Sequence, residues 1–198
     1  MQVHRRPPQA ITPEQFFTEW LPTELERLGT SIIPPMVVRV RLDGEGGGVW
    51  DLDTTSGVLR VSAPEPTRRP LLTLRMQVRD WRAIVVGEEG PVSLTPPRAS
   101  PTDLLFVDSG ARQLLAAVTG TYRFEVREYN GRTWLLSATF GDEEVDPPTA
   151  TIGIDAQTYA AILARQLAAP EAYFTGKITI SGDAGRGMQV GLSLLPKL

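Results

Sequence analysis

Glycines cluster near the end of this sequence, in the stretch YFTGKITISGDAGRGMQVGLSLL (173–195). A glycine-rich loop between a strand and a helix can bind phosphate through its backbone N–H groups. A P-loop, however, needs four residues between its first glycine and Gly-Lys-Ser/Thr, and here Gly176-Lys177 precedes the predicted strand. The glycines of GDAGRG also have the reverse of the dinucleotide-binding spacing. They therefore predict backbone bends rather than a nucleotide site.

Two acidic clusters are the next candidates for chemistry. Asp51 and Asp53 lie two apart on a predicted strand, so both carboxylates share one face, where they could bind a hard cation or act as an acid/base pair. Trp50 and Leu52 alternate with them, which more simply makes the two aspartates the solvent face of the strand. The acidic run 142–144 follows a glycine in a predicted turn and is expected to be hydrated.

Nucleophilic catalysis has few residues to use. The sequence has no cysteine, which excludes thiol catalysis, thiolate zinc sites and disulfides. The single histidine, His4, lies in a polar N-terminal segment, so a Ser–His pair would have to recruit that segment. The glycine-rich DGEGGG (43–48) lacks the ordered oxygen ligands of a calcium loop and predicts a hairpin turn. We expect no catalytic residue, no cofactor and no metal.

Composition limits the class of partner. A net charge of −3 argues against binding to nucleic acid. The sequence has neither a signal-peptide-like apolar run at its start nor 18 consecutive apolar residues, so we expect a cytoplasmic protein without stable membrane insertion. The C-terminal region has more large hydrophobic side chains than a short sheet needs to cover one face. They could enclose a cavity, although the residues by themselves favour a dry core.

The elements that position these residues follow a simple order in the first half. The segment TPEQFFTEWLPTELERLG predicts a helix with Thr12 as N-cap, divided at Pro22. Residues 36–63 alternate as a three-stranded antiparallel meander, and residues 70–90 predict a strand followed by a short helix. Residues 91–101 carry four prolines and predict a linker.

The second half repeats this order. We predict a helix at 109–120, a meander at 121–148, and a strand followed by a helix at 149–167, with that helix starting near Asp155. PLLTLRMQVRDWRAI aligns without gaps on PTATIGIDAQTYAAI. We interpret the recurrence as an internal duplication. Generic folding rules that favour strand–turn–strand–helix order are the alternative.

The closing segment EAYFTGKITISGDAGRGMQVGLSLL (171–195) resembles the signature of the sterol carrier protein 2 (SCP2) family. It has an aromatic pair, Gly-Lys, an alternating apolar strand, Gly-Asp and an apolar helix with methionine. With the meander around Trp134 and the strand ATIGID, the resemblance covers about residues 109–198. It implies an α+β fold with a five-stranded, largely antiparallel sheet, helices on one face, and a hydrophobic tunnel between sheet and helices. It implies no catalysis.

The resemblance also implies a domain organisation. The chain would consist of a flexible tail (1–10), a diverged and truncated SCP2-like unit (11–97), a linker (98–108) and an SCP2-like unit with the closing signature (109–198). A truncated unit leaves an unpaired sheet edge, which proteins normally pair or cover. We expect the two tandem related units to share that edge, or the protein to form a homodimer through it.

The residues implied as tunnel lining come from one helix, one strand and the closing segment: Tyr159, Ile162, Leu163, Phe174, Ile178, Ile180, Met188 and Leu192. Gly176 and Gly182 would meet backbone requirements at the two ends of the strand. Arg186 and Gly187 stand where the family usually has leucine and alanine, and Gly191 follows, so we expect the closing helix to be soft or short. Arg186 would either contact an anionic headgroup or point to water.

The leading hypothesis is a non-enzymatic protein that binds or carries a sterol, a fatty acyl chain or a phospholipid. The first alternative is an interaction or dimerisation module with a filled tunnel, which would follow if Phe174, Met188 and Tyr159 converge. The second is an accessory enzyme that holds an apolar substrate for proton transfer between carboxylates such as Asp51 and Asp53.

Overall fold

A computed structural model describes residues 5–28, 35–87, 93–94, 117–141 and 143–194, with side chains as far as residue 191. Some features of the sequence analysis lie outside these described residues: His4, Gly29, the linker at 98–108, most of the helix at 109–120, and the side chain of Leu192.

The strands are Val37–Asp43 (β1), Gly48–Asp53 (β2), Arg60–Ser62 (β3), Leu72–Gln77 (β4), Gly120–Tyr129 (β5), Arg132–Phe140 (β6), Ala150–Asp155 (β7) and Ile178–Gly182 (β8). They form one eight-stranded sheet in the order β3-β2-β1-β4-β6-β5-β7-β8. The β1–β4 and β5–β7 pairs are parallel, and the other pairs are antiparallel. The predicted α+β, mainly antiparallel fold is confirmed, but the sheet is wider than the five strands that the resemblance implied.

The helices are Pro13–Gln15 (α1), Leu21–Leu28 (α2), Val78–Val85 (α3), Ala156–Leu163 (α4), Ala169–Phe174 (α5) and Ala184–Leu194 (α6), with a π-helical segment, Phe16–Trp20, between α1 and α2. Thr12 caps α1 as predicted, because its hydroxyl accepts from the Gln15 N–H at 3.2 Å. The predicted division at Pro22 is wrong. The helix instead widens into the π-helical segment just before this proline, which has no N–H to donate.

Alternation along each strand decides which face of the sheet is buried. In β1, Val38, Val40 and Leu42 are buried, while the side chains between them are polar. The first helical segment packs on this apolar face, where Phe17 stacks on Trp50 with ring centroids 4.7 Å apart. Helices α3, α4, α5 and α6 contact the strands of the same sheet. The core therefore lies between one sheet and one layer of helices.

The two halves of the sheet have the same internal arrangement. β1 is antiparallel to β2 and parallel to β4, just as β5 is antiparallel to β6 and parallel to β7. Only the first half has an outer strand beside β2, namely β3, and only the second has one beside β7, namely β8. The edge strand of the first half is therefore β4, which has no counterpart of β8 beside it, and that of the second half is β6, which has no counterpart of β3. These two edge strands pair with each other. The halves thus share an edge, whereas their origin by duplication stays a prediction.

Residues 5–11, most of which were assigned to the flexible tail, contact the folded chain. The Arg5 N–H donates to Glu24 Oε1 at 3.2 Å, and the Arg82 guanidinium donates to the Ile11 carbonyl at 3.0 Å. Ile11 is buried in the core. These contacts tie the N-terminal segment to α2 and α3.

Within the described ranges, no helix combines the length and the apolar character needed to cross a membrane. The cytoplasmic location stays a prediction.

Candidate functional site

The acidic pair of β2 is engaged in structural contacts. Asp51 is fully buried and bidentate with Arg39, with Nε–Oδ1 at 2.7 Å and Nη2–Oδ2 at 2.9 Å. Asp53 accepts from the N–H and hydroxyl of Thr55 at 2.8 and 2.6 Å. The expectation of a solvent-facing carboxylate is wrong for Asp51, because Arg39 lies across it and donates onward to the Arg68 carbonyl at 3.3 Å. Among the described residues, no three His, Cys, Asp or Glu side chains are grouped so as to hold a metal ion.

Three neighbouring rows of core-facing side chains cross the C-terminal half of the sheet. One buried row consists of Ala138, Tyr122 and Ala150. Another buried row consists of Trp134, Val126, Ile154 and Ile178. The middle row, between these two, consists of Leu136, Phe124, Ile152 and Ile180, which pair directly across β6, β5, β7 and β8. Every member of the middle row is partly exposed.

The middle row lies where two hydrophobic clusters meet. All four of its residues pack against the cluster that contains Trp50 and Tyr122, and all but Ile180 also pack against the cluster that contains Trp134 and Ile162. Protein interiors are close-packed, so a core-facing row between two buried rows is normally buried as well. Their partial exposure sets the middle row apart from the two buried rows beside it.

Glycines let α6 lie directly on the sheet at the middle row. A Cβ added at Gly187 would be 2.6 Å from Ile180 Cγ2 and 3.0 Å from Ala150 Cβ, closer than carbon atoms pack. A Cβ at Gly191, one turn later, would be 3.9 Å from Ile152 Cγ1, an ordinary contact. Helix α6 is 11 residues long, so the closing helix is not short. Its glycines serve close packing over the middle row.

The two glycines that flank β8 have the backbone conformations expected of them. Gly176 has φ +73° and Gly182 has φ +83°, in the left-handed region that favours glycine. A Cβ at Gly182 would also lie 2.5 Å from the Thr149 carbonyl oxygen. Both glycines therefore serve the backbone geometry of the strand ends.

Helix α4 packs on the second cluster and is held by polar contacts at its start and in its middle. Asp155 caps it, since its carboxylate accepts from the Thr158 N–H at 2.7 Å and from the Thr158 hydroxyl at 2.6 Å. The Tyr159 hydroxyl donates to the Leu94 carbonyl at 3.1 Å. Burial raises the pKa of Tyr159 to about 12, so the phenol is neutral at physiological pH. These bonds position the apolar face of α4 against β5 and β7.

The structure brings several of the predicted lining residues together at this place. Ile162 and Ile178 are buried in the second cluster, and Tyr159 packs against it. Ile180 belongs to the middle row. Leu163 and Met188 are partly exposed.

Two predicted residues lie apart from this group. Phe174 is 83% exposed and meets Tyr173 edge-on, with ring centroids 5.6 Å apart. It therefore does not converge with Tyr159 and Met188. Arg186 is exposed, and its Nε lies 3.5 Å from Asp183 Oδ2.

Three members of the middle row were not predicted from the sequence: Leu136, Phe124 and Ile152. Each of them follows the alternation of its own strand, which was a usable signal for an inward-facing side chain. The register that sets them side by side is long-range and cannot be read from a single strand.

Residues 102–192 match the SCP-2 sterol transfer family. Similar solved structures include sterol carrier protein 2 like 2 from Aedes aegypti, at 20% identity over 39% of this chain and 71% of that chain, with a TM-score of 0.27. Sterol carrier protein domain 2 of Helicoverpa armigera is 27% identical over 40% and 70%, with a TM-score of 0.31. The stereoselective inverting sec-alkylsulfatase Pisa1 from Pseudomonas sp. is 17% identical over 54% and 19%, with a TM-score of 0.24. No curated protein gives a significant match.

Proposed function

Because residues 102–192 match the SCP-2 sterol transfer family, we propose that this protein is a non-enzymatic carrier of a hydrophobic ligand. The ligand, a sterol, a fatty acyl chain or a phospholipid, would lie in an apolar groove between the helices and the middle row. The observation that supports this site most directly is the partial exposure of four apolar side chains between two buried rows. An apolar groove with few polar groups is the usual form of a lipid or cofactor pocket.

Burial of apolar surface would drive binding. At about 25 cal/mol per Å², a ligand that removes about 300 Å² of apolar surface from water gains about 7.5 kcal/mol before the cost of association. After an association cost of about 4 kcal/mol the net gain of about 3.5 kcal/mol corresponds to millimolar affinity, so micromolar binding requires about 500 Å² of buried apolar surface. This driving force is non-directional, so it favours a class of ligands rather than one molecule.

The helices would form the walls of the groove. Helix α6 would close the groove on one side, since a Cβ at Gly191 would already contact Ile152 Cγ1 at 3.9 Å. The partial exposure of Leu163 and Met188 supports their proposed role as lining residues. Phe174, by contrast, has no place in the proposed lining because its side chain is mostly in solvent.

Two consecutive leucines of β6 provide a matched test. Leu136 belongs to the middle row, while Leu135 points to the opposite face of the sheet and is 38% exposed. Leu136→Trp should fill the groove, whereas Leu135→Trp adds the same volume in water. Displacement of a fluorescent fatty acid by unlabelled sterols and acyl chains measures the binding, and urea unfolding checks that both variants are folded.

We expect Leu136→Trp to weaken probe binding about tenfold or more, and Leu135→Trp to change it less than about twofold. Equal effects of the two substitutions would contradict the proposed site. Absence of probe binding to the unmodified protein, with no lipid retained through purification in native mass spectrometry, would favour a filled groove and an interaction module.

A further inference from the structure

The two edge strands of the sheet differ in how well they are protected from pairing with another chain. One edge is β3, which has only three residues, begins with the exposed Arg60 and is followed by Pro64 and Pro66. Short strands, charges and prolines are the usual means of preventing edge pairing. The other edge is β8, which is five residues long, has no register shift against β7 and contains neither a charge nor a proline. β8 therefore lacks the usual protection.

The pairing of β8 with β7 determines which backbone groups of β8 face outward. The Asp183 N–H donates to the Thr149 carbonyl at 2.8 Å, which makes these two residues a hydrogen-bonded pair. Every second residue of an antiparallel strand bonds to the same neighbour, so Thr179 and Ser181 also bond to β7. In the described part of the chain no strand lies on the other side of β8. Three residues direct their N–H and C=O groups to that side: Ile178, Ile180 and Gly182.

The two ends of β8 carry opposite charges. Lys177 directly precedes the strand and Asp183 directly follows it, and both side chains are exposed. Among the described residues Lys177 has no ion-pair partner, and Asp183 meets only Arg186, whose Nε lies 3.5 Å from its Oδ2. Lys177 and Asp183 are equally far from Ile180 along the sequence. The strand is therefore complementary in charge to a copy of itself that runs in the opposite direction.

We propose that β8 pairs with β8 of a second copy of this chain, antiparallel and centred on Ile180. A two-fold axis at that residue sets Ile180 against Ile180 and each Ile178 against the partner's Gly182, so the outward-facing backbone groups bond to one another. The same register sets each Lys177 beside the partner's Asp183. This edge is not the one expected from the sequence, because β4, the edge strand of the first half, pairs with β6.

An exposed aromatic ring lies at the same edge. Phe174 is 83% exposed and belongs to α5, the helix that leads into β8. At the other end of β8, α6 begins with Ala184 and Gly185, which are small and exposed. Both helices contact β8. Because antiparallel pairing brings the first end of one β8 to the last end of the other, each Phe174 comes close to the start of the partner's α6 and is removed from water.

The pairing also has a consequence for the groove. Ile180 ends the middle row, so the middle rows of the two copies meet at the axis. A two-fold axis perpendicular to the sheet keeps the helices of both copies on one face. The dimer itself does not depend on the proposed function, whereas a groove shared by two copies does.

Sedimentation velocity over a range of protein concentrations measures the association, and we expect a reversible dimer. Lys177→Glu replaces both ion pairs by like-charged pairs and should raise the dimer dissociation constant about tenfold or more. Arg60→Glu is the matched control, because it makes the same change of charge at the opposite edge of the sheet. It should change the constant less than about twofold. Equal effects of the two substitutions would contradict the proposed interface.

A mixture of two variants tests the register. Asp183→Lys alone should also weaken the dimer, because it sets a second positive charge beside each Lys177. An equimolar mixture of Lys177→Glu and Asp183→Lys has opposite charges at both contacts, so the mixed dimer should form at concentrations about tenfold lower than either variant alone requires. A mixture that associates no more tightly than its components would overturn the proposed pairing.

One of these variants changes a helix cap. Asp183 Oδ1 accepts from the Arg186 N–H at 3.0 Å, so circular dichroism is needed to establish that Asp183→Lys is folded. If it is not, Phe174→Ala replaces it: this ring is mostly in solvent in a single copy, so its loss should leave the monomer folded and weaken the dimer about tenfold. An unmodified protein that stays monomeric up to about 100 µM would overturn the proposal, as would a dimer that neither Lys177→Glu nor Phe174→Ala weakens.

Discussion

Gly187→Ala probes the contact between α6 and the sheet. Alanine in a helix interior is more favourable than glycine by about 1 kcal/mol. The added Cβ, however, would be 2.6 Å from Ile180 Cγ2 and 3.0 Å from Ala150 Cβ, whereas carbon atoms prefer about 3.5–4.0 Å. Both neighbours belong to paired strands, so relieving the overlap should cost about 1–3 kcal/mol. The net effect is a free energy of unfolding that is unchanged or lower by up to about 2 kcal/mol.

Gly191→Ala is the matched control on the same helix. Its Cβ would be 3.9 Å from Ile152 Cγ1, an ordinary contact, so the helix-propensity gain of about 1 kcal/mol should remain. Urea unfolding of both variants measures the difference, which should be about 1–3 kcal/mol in favour of Gly191→Ala. Equal stabilisation by the two alanines would refute the close packing of α6 on β7 and β8.

Three further substitutions test single polar groups. Asp155→Ala removes the cap of α4 and should lower the free energy of unfolding by about 1 kcal/mol in urea, against little change for the exposed Gln157→Ala. Hydrogen bonds from Thr55 lower the pKa of Asp53 in the folded protein. The Asp53 carboxylate therefore stabilises the fold fully above its unfolded pKa of about 4, and this stabilisation is lost as the pH falls through the lower folded pKa. Asp53→Asn should flatten the acid limb of stability against pH, and an unchanged limb would contradict this. Burial raises the pKa of Tyr159 to about 12, so the unfolded chain releases this proton first and stability should fall from about pH 10 to pH 12. Burial also raises the pKa of Tyr122, so Tyr159→Phe should reduce that slope without abolishing it, and an unchanged slope would count against a buried Tyr159 phenol.

Local structure was predictable where the signal lies within a few residues. Thr12 followed by Pro13 predicted the start of the first helix, and the structure has the capping box there. The alternation of Leu72 and Leu74 predicted β4 and the change of period after it predicted α3. Asp155 marked the end of β7 and the start of α4. Each of these features depends on propensity and on one or two side chains.

The features that the sequence did not reveal depend on distant partners. Alternation alone put Asp51 on the solvent face, but the register of β1 against β2 brings Arg39 over it and buries it. Phe174 is a large apolar residue of the kind usually found in a core, yet the position of the short α5 leaves its ring exposed. The middle row needs the register of four strands, from Leu136 to Ile180. Such pairings are set by the packing of the whole sheet.

The central claim is that the middle row faces a bound ligand. Methyl NMR of protein labelled at isoleucine, titrated with the tightest-binding of the unlabelled sterols and acyl chains, tests it most directly. The account predicts that the methyl resonances of Ile152 and Ile180 shift on binding, while those of Ile11, buried in the core of the first half, stay in place. A lipid that binds and leaves both Ile152 and Ile180 unshifted would contradict the claim.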